Sequence, residues 1–317
     1  MSVSRRNFLG WAGGIVATAA LPTWADEGSL FSRRGRFERL SLTYAHVRLG
    51  LKEPFSVLHV SDTHLTAADA SDSPGTHAAS VRRTQTFGGR QEEAFADTLA
   101  WARDNVDYLV HTGDLIDFQS HANLALVKKH LGAAAVAGSM GNHEFYTYLP
   151  DEKIGTDEAF KDRSWKLLEG AYPYDPRFSS TVVRGVNFVF VNDVFGTVTA
   201  DTAERFEQEV KKGLPIVLCM HVPIITPAMW QASEKFWRYN GKRFASVGAS
   251  APRGDYLRQQ KDPVTRDFIA RLRREPLLAC LLTGHLHLNF QERFSPTAVQ
   301  YVVGGNFMFG GEEILFT

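Results

Sequence analysis

The sequence contains very little cysteine, with only Cys219 and Cys280 among its 317 residues. Two cysteines cannot form the disulfide framework that holds small secreted folds together, so a disulfide-rich scaffold is excluded. Both cysteines lie inside apolar runs, IVLCM and LLACLL, where a buried thiol behaves as a small hydrophobic side chain. We therefore predict that both are free thiols.

An excess of charge of either sign is also missing, because 35 Lys and Arg residues face 35 Asp and Glu residues. Proteins that bind nucleic acids usually show a clear basic excess or a basic stripe. The small basic cluster at residues 33–36 (RRGR) is more typical of a solvated linker. Nucleic acid is therefore not expected as a partner.

Long hydrophobic runs are absent after residue 25, so the mature protein is not expected to span a membrane. Before that point, the paired Arg5 and Arg6 directly precede the apolar stretch FLGWAGGIVATAAL, which Pro22 ends. Thr23 and Ala25 then offer small residues at the positions that a signal peptidase reads. The segment resembles a twin-arginine export signal, with an uncleaved N-terminal anchor as the alternative.

We accordingly expect a twin-arginine signal peptide over residues 1–25, a linker over residues 26–36 and one domain over residues 37–317. The twin-arginine export machinery would be a partner of the precursor. The mature protein would be periplasmic or extracellular.

The domain alternates short apolar runs with segments of helical periodicity, which predicts an α/β architecture of mixed sheets with helices outside. Residues 156–170 are predicted to form one helix capped by a Thr, and residues 180–192 a hairpin that turns at Arg184-Gly185. Residues 65–90 are predicted to form a polar loop, and residues 222–262 a second long segment; loops of this length are usually covers of a functional site or disordered. The aromatic residues of the second segment are expected to pack it onto the body, with binding of a nucleoside or a lipid headgroup as the alternative.

Five apolar runs of the domain each end in Asp, Asn or His. The residues at these ends are Asp62 and His64, Asp114 and Asp117, Asn142 and His143, His221, and His285 and His287. Ligands of α/β sheets bind outside the carboxyl ends of strands, so these side chains are expected to converge. One such motif alone is usually a turn or a cap, but five in one chain indicate a metal site, because buried carboxylates and imidazoles are costly without partners.

The last apolar run, LLTGHLH at residues 281–287, ends in two histidines on either side of one leucine. Alternate residues of an extended segment point to the same side. His285 and His287 are therefore expected to reach one site together from a stiff strand end.

The order of these motifs (Asp-x-His, Gly-Asp-x-x-Asp, Gly-Asn-His-Glu, His, Gly-His-x-His) resembles that of the calcineurin-like metallophosphoesterase superfamily, over essentially the whole chain from Phe37. The resemblance implies a four-layer α/β/β/α sandwich of two mixed sheets with two metals between the sheet ends. It implies one metal bound by Asp62, His64 and His287, a second bound by Asn142, His221 and His285, and Asp114 as the bridge.

The same resemblance implies that His143 gives a proton to the leaving oxygen and that Asp117 orients His143. Imidazole, carboxylate and amide ligands suit two divalent ions of Mn, Fe, Zn or Co. Two ions about 3.5–4 Å apart can share a hydroxide for in-line attack on phosphorus.

The sequence thus predicts an exported, metal-dependent hydrolase of a small phosphodiester or diphosphate. A dianionic monoester would call for an arginine clamp, whereas Arg82, Arg83 and Arg90 lie in the predicted long segment, where they are expected to be available for phosphate. A phosphomonoesterase of the same fold remains an alternative. A nuclease and a non-catalytic binding module are alternatives of other classes.

Overall fold

The computed structural model describes residues 39–132, 136–240 and 251–317. The expected signal peptide, residues 1–25, and the expected linker, residues 26–36, lie outside the described residues. No helix in the described ranges is both long enough and apolar enough to cross a membrane.

The first sheet contains five strands of the described chain, and three of them run parallel at its centre and one edge. In sequence order these strands are β1 (Ser41–Val47), β2 (Phe55–Val60), β3 (Tyr108–Thr112), β4 (Val136–Ser139) and β11 (Gly310–Phe316). Their spatial order is β1-β11-β2-β3-β4. Strands β2, β3 and β4 are parallel, while β11 is antiparallel to β2 and parallel to β1.

The second sheet contains six described strands. These are β5 (Phe178–Val183), β6 (Val186–Val191), β7 (Ile216–Cys219), β8 (Leu278–Thr283), β9 (Phe290–Arg293) and β10 (Val299–Val302). They follow the order β5-β6-β7-β8-β10-β9, with parallel pairing from β6 to β10 and antiparallel edges. The predicted hairpin turn is confirmed, because Arg184 and Gly185 join β5 to β6 and both have positive φ.

Helices follow most of the strands. They are α1 (Pro74–Thr86), α2 (Gln91–Asn105), α3 (His121–Leu131), α4 (Glu158–Asp162), α5 (Trp165–Glu169), α6 (Ala200–Val210), α7 (Pro227–Asn240), α8 (Ala251–Lys261) and α9 (Pro263–Leu272). Short 3₁₀ turns span His143–Phe145, Val194–Gly196 and Asn306–Met308.

Hydrophobic cores separate the layers. The core between the sheets contains Val57 of β2 and Phe188 of β6. Because side chains alternate along a strand, the neighbouring Leu58 instead belongs to the outer core, which it shares with Phe95 of α2. On the far side of the second sheet, apolar residues of β7 and β8 pack with those of α6 and α9. The predicted four-layer α/β/β/α sandwich is confirmed.

Some local predictions were wrong. The long segment at residues 65–90 contains helix α1, which begins after Ser73, whose hydroxyl accepts the amide of Thr76. Residues 222–262 contain helices α7 and α8 among the described residues. The single helix expected over residues 156–170 is two short helices, α4 and α5, and the cap of α4 is Asp157 rather than the Thr before it.

The aromatic residues of α7 divide into two groups. Trp237 is buried and its indole N–H donates to the carbonyl of Leu286 at 3.0 Å, as the packing prediction requires. Tyr239 does not pack, since 83% of it is exposed. Cys219 and Cys280 are both buried and free, which confirms the prediction for the thiols.

Candidate metal centre

The carboxyl ends of five parallel strands place the predicted site residues together at one edge of the sandwich. Strands β2, β3 and β4 are neighbours in the first sheet, and β7 and β8 are neighbours in the second. The predicted histidine and aspartate ligands fall into two groups, in each of which all the ligand atoms lie within 4.8 Å of one another, and His64, Asp117 and His143 form a third such group beside them. The first group is Asp62, His64, Asp114 and His287, and the second is Asp114, His221 and His285.

The first group is held in a metal-ready state by its hydrogen bonds. Nδ1 of His64 lies 3.0 Å from Oδ1 of Asp117, so this nitrogen carries the ring proton and Nε2 carries the lone pair. That Nε2 is 3.1 Å from Nε2 of His287, which is itself 3.3 Å from Oδ1 of Asp62. Burial, and next the charge of His143, lowers the pKa of His64 to about 4. His64 is therefore neutral at pH 7, which is the form that binds metals.

The second group is oriented by different partners. Nδ1 of His221 donates to the carbonyl of Thr112 at 2.7 Å, which leaves Nε2 3.3 Å from Oδ2 of Asp114. Burial alone would lower the pKa of His221, but the Asp114 carboxylate outweighs it and raises the pKa to about 10. Nε2 of His285 is 3.0 Å from Oδ2 of Asp255, so Nδ1 is the nitrogen that His285 has left for a metal.

Asp114 stands between the two groups, as a bridging ligand must. Its Oδ2 is 3.3 Å from Nε2 of His221 and 3.8 Å from Nε2 of His64. Burial alone would raise the pKa of Asp114, but His221 and His143 hold it well below the usual range. The carboxyl is therefore ionised and shared by both groups.

The donor atoms fit a pair of divalent ions. Oδ1 of Asn142 is buried and makes no hydrogen bond. Oδ1 of Asp62 and Nε2 of His221 also lack a partner in hydrogen-bond geometry, although each lies 3.3 Å from an atom of another predicted ligand. Buried polar atoms nearly always have a partner, and atoms of these types without one are suited to bind a cation. Asn142 precedes His143, whose amide donates to Oδ1 of Asp114 at 2.9 Å, so the amide side chain belongs to the same site.

Backbone strain is concentrated in the ligands. Five of them have positive φ, a conformation that costs a residue with a side chain about 1–3 kcal/mol. They are Asp62 (55°), His64 (53°), Asp114 (55°), His285 (67°) and His287 (54°). The expectation of an extended segment with two histidines on one side is therefore wrong. Strand β8 ends at Thr283, and left-handed backbone turns both imidazoles into the site.

The glycines of the motifs are required for close approach. Gly113 has φ 93°, and a Cβ there would lie 2.6 Å from the amide nitrogen of Gly141 and from Nδ1 of His221. A Cβ on Gly141 would collide with the carboxylate of Asp114. The loops after β3, β4 and β7 can meet only because these two positions carry no side chain.

The expected proton donor lies beside Asp114. Nδ1 of His143 is 2.9 Å from both Oδ1 and the main-chain oxygen of Asp117, so its Nε2 points toward Asp114, at 3.9 Å from Oδ2. Burial lowers the pKa of His143, but Asp114 and then Asp117 raise it more, so the net shift is upward. This geometry suits a ring that holds a proton at Nε2.

Arg83 differs from the expectation that the arginines are available for phosphate. It reaches down from α1 and binds Asp117 through two nitrogens, Nε at 2.6 Å and Nη2 at 2.9 Å. Arg83 instead fixes the carboxylate that contacts both His64 and His143. Arg90 makes an exposed ion pair with Glu93 at 2.7 Å, which is easily exchanged, and Arg82 is exposed. For these two arginines the expectation stays a prediction.

Three buried carboxylates at the site were not predicted to have a role. Glu144 accepts the amides of Asp114 at 3.0 Å and Gly141 at 2.8 Å, and burial followed by the charge of Asp114 raises its pKa to about 7. Asp193 accepts the amide of His221 at 2.9 Å. The third is Asp255. Asp193 follows the apolar run of β6, so the rule of strand ends could have found it.

Comparison with known proteins agrees with this geometry. A model of the calcineurin-like phosphoesterase family matches residues 55–289, which is more than half of the chain, and the chain belongs to that family. The protein is accordingly a phosphoesterase-type α/β sandwich with a cluster of histidines and aspartates able to bind metal. No curated protein matches the sequence.

Several solved structures are similar at low identity. A dimetal phosphatase from Danio rerio is 14% identical, with 81% of this chain and 89% of that chain covered and a TM-score of 0.45. The phosphopantetheinyl hydrolase PptH from Mycobacterium tuberculosis is 15% identical, with 80% and 91% covered and a TM-score of 0.38. The calcineurin-like phosphoesterase YfkN from Bacillus subtilis is 13% identical, with 80% and 82% covered and a TM-score of 0.39.

Proposed function

We propose that this protein is an exported, metal-dependent hydrolase of small phosphodiesters or diphosphates. The observation that carries the proposal is the convergence of two sets of donor atoms on one ionised carboxylate, Asp114. Family membership supports phosphoester hydrolysis as the reaction class. A binding module that had lost catalysis would be expected to lack a ligand or the proton donor, and every one of these positions is filled.

Seven side chains would bind the two metal ions that such a reaction needs. Asp62, His64 and His287 would hold one divalent ion and Asn142, His221 and His285 the other, with Asp114 shared by both. Mn, Fe, Zn or Co ions held there would supply Lewis acidity and an activated water for in-line attack at phosphorus.

Protonation of the leaving group would be carried out by a side chain of the protein and not by a metal ion. Nε2 of His143, which lies 3.9 Å from Oδ2 of Asp114, would give its proton to the leaving oxygen. Asp117, fixed by Arg83, holds the opposite edge of the ring, as the third member of a catalytic triad does.

A diester or diphosphate is favoured over a monoester by the state of the arginines. A dianionic monoester is best gripped by a bidentate guanidinium. Arg83, the partly buried arginine beside the site, already uses two nitrogens to bind Asp117 and cannot serve as that clamp. A phosphodiester carries one negative charge fewer at the reacting phosphorus and depends less on such a clamp.

The substrate class is tested by comparing two nitrophenyl esters on manganese-loaded protein. We expect bis-nitrophenyl phosphate to be turned over at least as well as nitrophenyl phosphate. The Asp114→Asn variant, assayed beside the native protein, shows that the hydrolysis comes from this site. A strong preference for the monoester with Mn, Fe, Zn and Co alike would replace the proposal with a phosphomonoesterase.

Export is the second part of the proposal and rests on the N-terminal sequence. The twin-arginine route carries folded proteins, so the metals could be loaded before export. Changing Arg5 and Arg6 together to Lys keeps the charge and removes the pair, and full-length protein should then accumulate in the cytoplasm. A variant that is exported like the native protein would refute the assignment of the signal.

A further inference from the structure

Helix α8 brings to the metal centre a carboxylate that follows no strand. Asp255 is 2% exposed, and its Oδ2 lies 3.0 Å from Nε2 of His285. Its other oxygen pairs with Arg258, one helical turn further along α8. A carboxylate buried this deeply must be neutralised or hydrogen-bonded, and Asp255 is both.

Asp255 contacts the side of the imidazole that faces away from the other ligands. The donor atoms grouped with His285 are those of Asp114 and His221, and Asp255 is not among them. One ring nitrogen of His285 therefore meets Asp255 and the other is left for the metal. This is the carboxylate–histidine–metal arrangement, in which the outer carboxylate sets the tautomer and strengthens the histidine as a ligand.

Each of three ligand histidines has an acceptor of its own, and the acceptors differ in origin. His64 has Asp117 and His221 has the carbonyl of Thr112, both of which come from β3 and the loop after it. The acceptor of His285 alone belongs to α8. His285 also sits on strained backbone, with φ 67°, so its direction depends on what holds it.

The position of α8 is itself fixed at two points. Nε of Arg258 donates to the carbonyl of Phe195 at 2.7 Å, two residues beyond the Asp193 that accepts the amide of His221. Gln259 anchors the opposite side, accepting the amide of Ile225 at 2.9 Å and donating to the carbonyl of Pro223 at 2.8 Å. The helix can therefore hold Asp255 in register with His285.

We propose that Asp255 is a positioning residue for the second metal ion, acting through the tautomer and orientation of His285. The inference rests on the two-metal site of the proposed function. In this proposal, α8 raises the affinity of the site for the second ion. The affinity for the first ion, held by Asp62, His64 and His287, does not depend on the helix.

The test is to titrate metal-free protein with manganese. Calorimetry measures the affinity for each ion, and elemental analysis gives the number of ions bound per chain. In Asp255→Ala we expect about 10–100-fold weaker binding of one ion and unchanged binding of the other. Asp255→Asn should lose less, because its amide oxygen still accepts from Nε2 of His285. Gln260→Ala is the matched control, since this exposed residue lies on the same helix and is not used to anchor it, and both ions should bind to the variant as to the native protein.

Cobalt gives a readout that loose packing alone would not move. In the cobalt-loaded protein, Asp255→Ala should change the visible absorption of one ion, and Gln260→Ala should leave the spectrum as it is. Equal weakening of both ions, or the same loss in Gln260→Ala as in Asp255→Ala, would overturn the positioning role. If Asp255→Ala fails to fold, the near-isosteric Asp255→Asn decides alone, and unchanged affinity for both ions there would refute the proposal.

These outcomes are separate from those of the proposed function. Native protein that binds two ions and hydrolyses no phosphoester would refute the function and leave the positioning role to be judged on affinity. Native protein that binds two ions and hydrolyses phosphoesters, together with Asp255 variants that bind both ions as tightly as the native protein, would refute the positioning role and leave the function standing.

Discussion

The two halves of the metal centre are built in different ways. In the first half, His64 is fully buried, neutral at pH 7 and oriented by Asp117 from the loop after β3. In the second half, His221 carries an additional proton, and His285 depends on Asp255 from a helix outside the sheets. His64 is therefore ready to bind a metal as folded, whereas in our proposal His221 would first release a proton and His285 would rely on the docking of α8.

This difference has a thermodynamic consequence. A ligand set that is already deprotonated and oriented loses little free energy on binding, and a set that must lose a proton binds more weakly at neutral pH. We expect the ion held by Asp62, His64 and His287 to bind more tightly than the ion held by Asn142, His221 and His285. Asp114 belongs to both halves, so a substitution there should weaken the binding of both ions and remove the difference between their affinities.

Asp114→Ala should have the largest effect. Loss of the shared carboxylate removes a ligand from both ions and leaves His221 without its partner. Metal stabilisation of a transition state amounts to several kcal/mol, so activity should fall by at least about 10³-fold. Elemental analysis should find fewer than two ions per chain. The exposed Asp151→Ala is a control that should change neither quantity, and full occupancy of both ions in Asp114→Ala would contradict the bridge.

His143→Ala should separate chemistry from metal binding. Loss of a general acid typically costs about 10²–10⁴-fold, while both ions should remain bound. The loss should shrink for nitrophenol esters, whose leaving group needs little protonation, and grow for alkyl esters. Asp117→Asn should give a smaller loss of the same kind. Equal losses on good and poor leaving groups would remove His143 from the role of proton donor.

The pH dependence of metal binding should distinguish the halves. Because the pKa of His221 is raised to about 10, its additional proton is present at neutral pH and must leave when the second ion binds. Affinity for that ion should therefore rise by up to about tenfold per pH unit below 10. His64, with a pKa of about 4, adds no such dependence to the first ion between about pH 6.5 and 8.5. Calorimetric titrations across this range measure the affinity for each ion. If both affinities changed with pH by the same amount, the two halves would not differ as described.

Arg83→Lys should have the smallest effect. It keeps a positive charge near Asp117 and removes the two-nitrogen fork, so the carboxylate is held less firmly against His64 and His143. We expect a loss of about tenfold in kcat with both ions retained. Arg82→Lys on the same helix is the control. A loss of metal in Arg83→Lys would mean that Asp117 supports His64 more than it supports His143.

Much of this centre could be predicted from sequence, because its ligands follow apolar strands. The motifs at residues 62–64, 113–117 and 141–144 sit where chain direction and sheet order leave little freedom. The same pattern predicted the wrong backbone for His285 and His287. Alternation of side chains requires an extended strand, and strand β8 ends at Thr283, before both histidines.

The roles of Arg83 and Asp255 could not be predicted from the sequence. Both lie on helices whose contact with the site is decided by how those helices dock, and no local periodicity encodes such docking. The segments containing them look polar and irregular in sequence, and α8 in particular has little amphipathic pattern. Helix docking is thus the part of the site that only the three-dimensional structure reveals, and in our proposal it is also the part on which the second metal ion depends.

Whether two unlike sets of ligands share Asp114 can be determined by anomalous diffraction from crystals of manganese-loaded protein. We expect two anomalous peaks, one among Asp62, His64 and His287 and one among Asn142, His221 and His285, both in contact with Asp114. The second peak should weaken first when manganese is withdrawn. A single peak, or two peaks of which one lies away from Asp114, would show that the carboxylate is not a shared ligand.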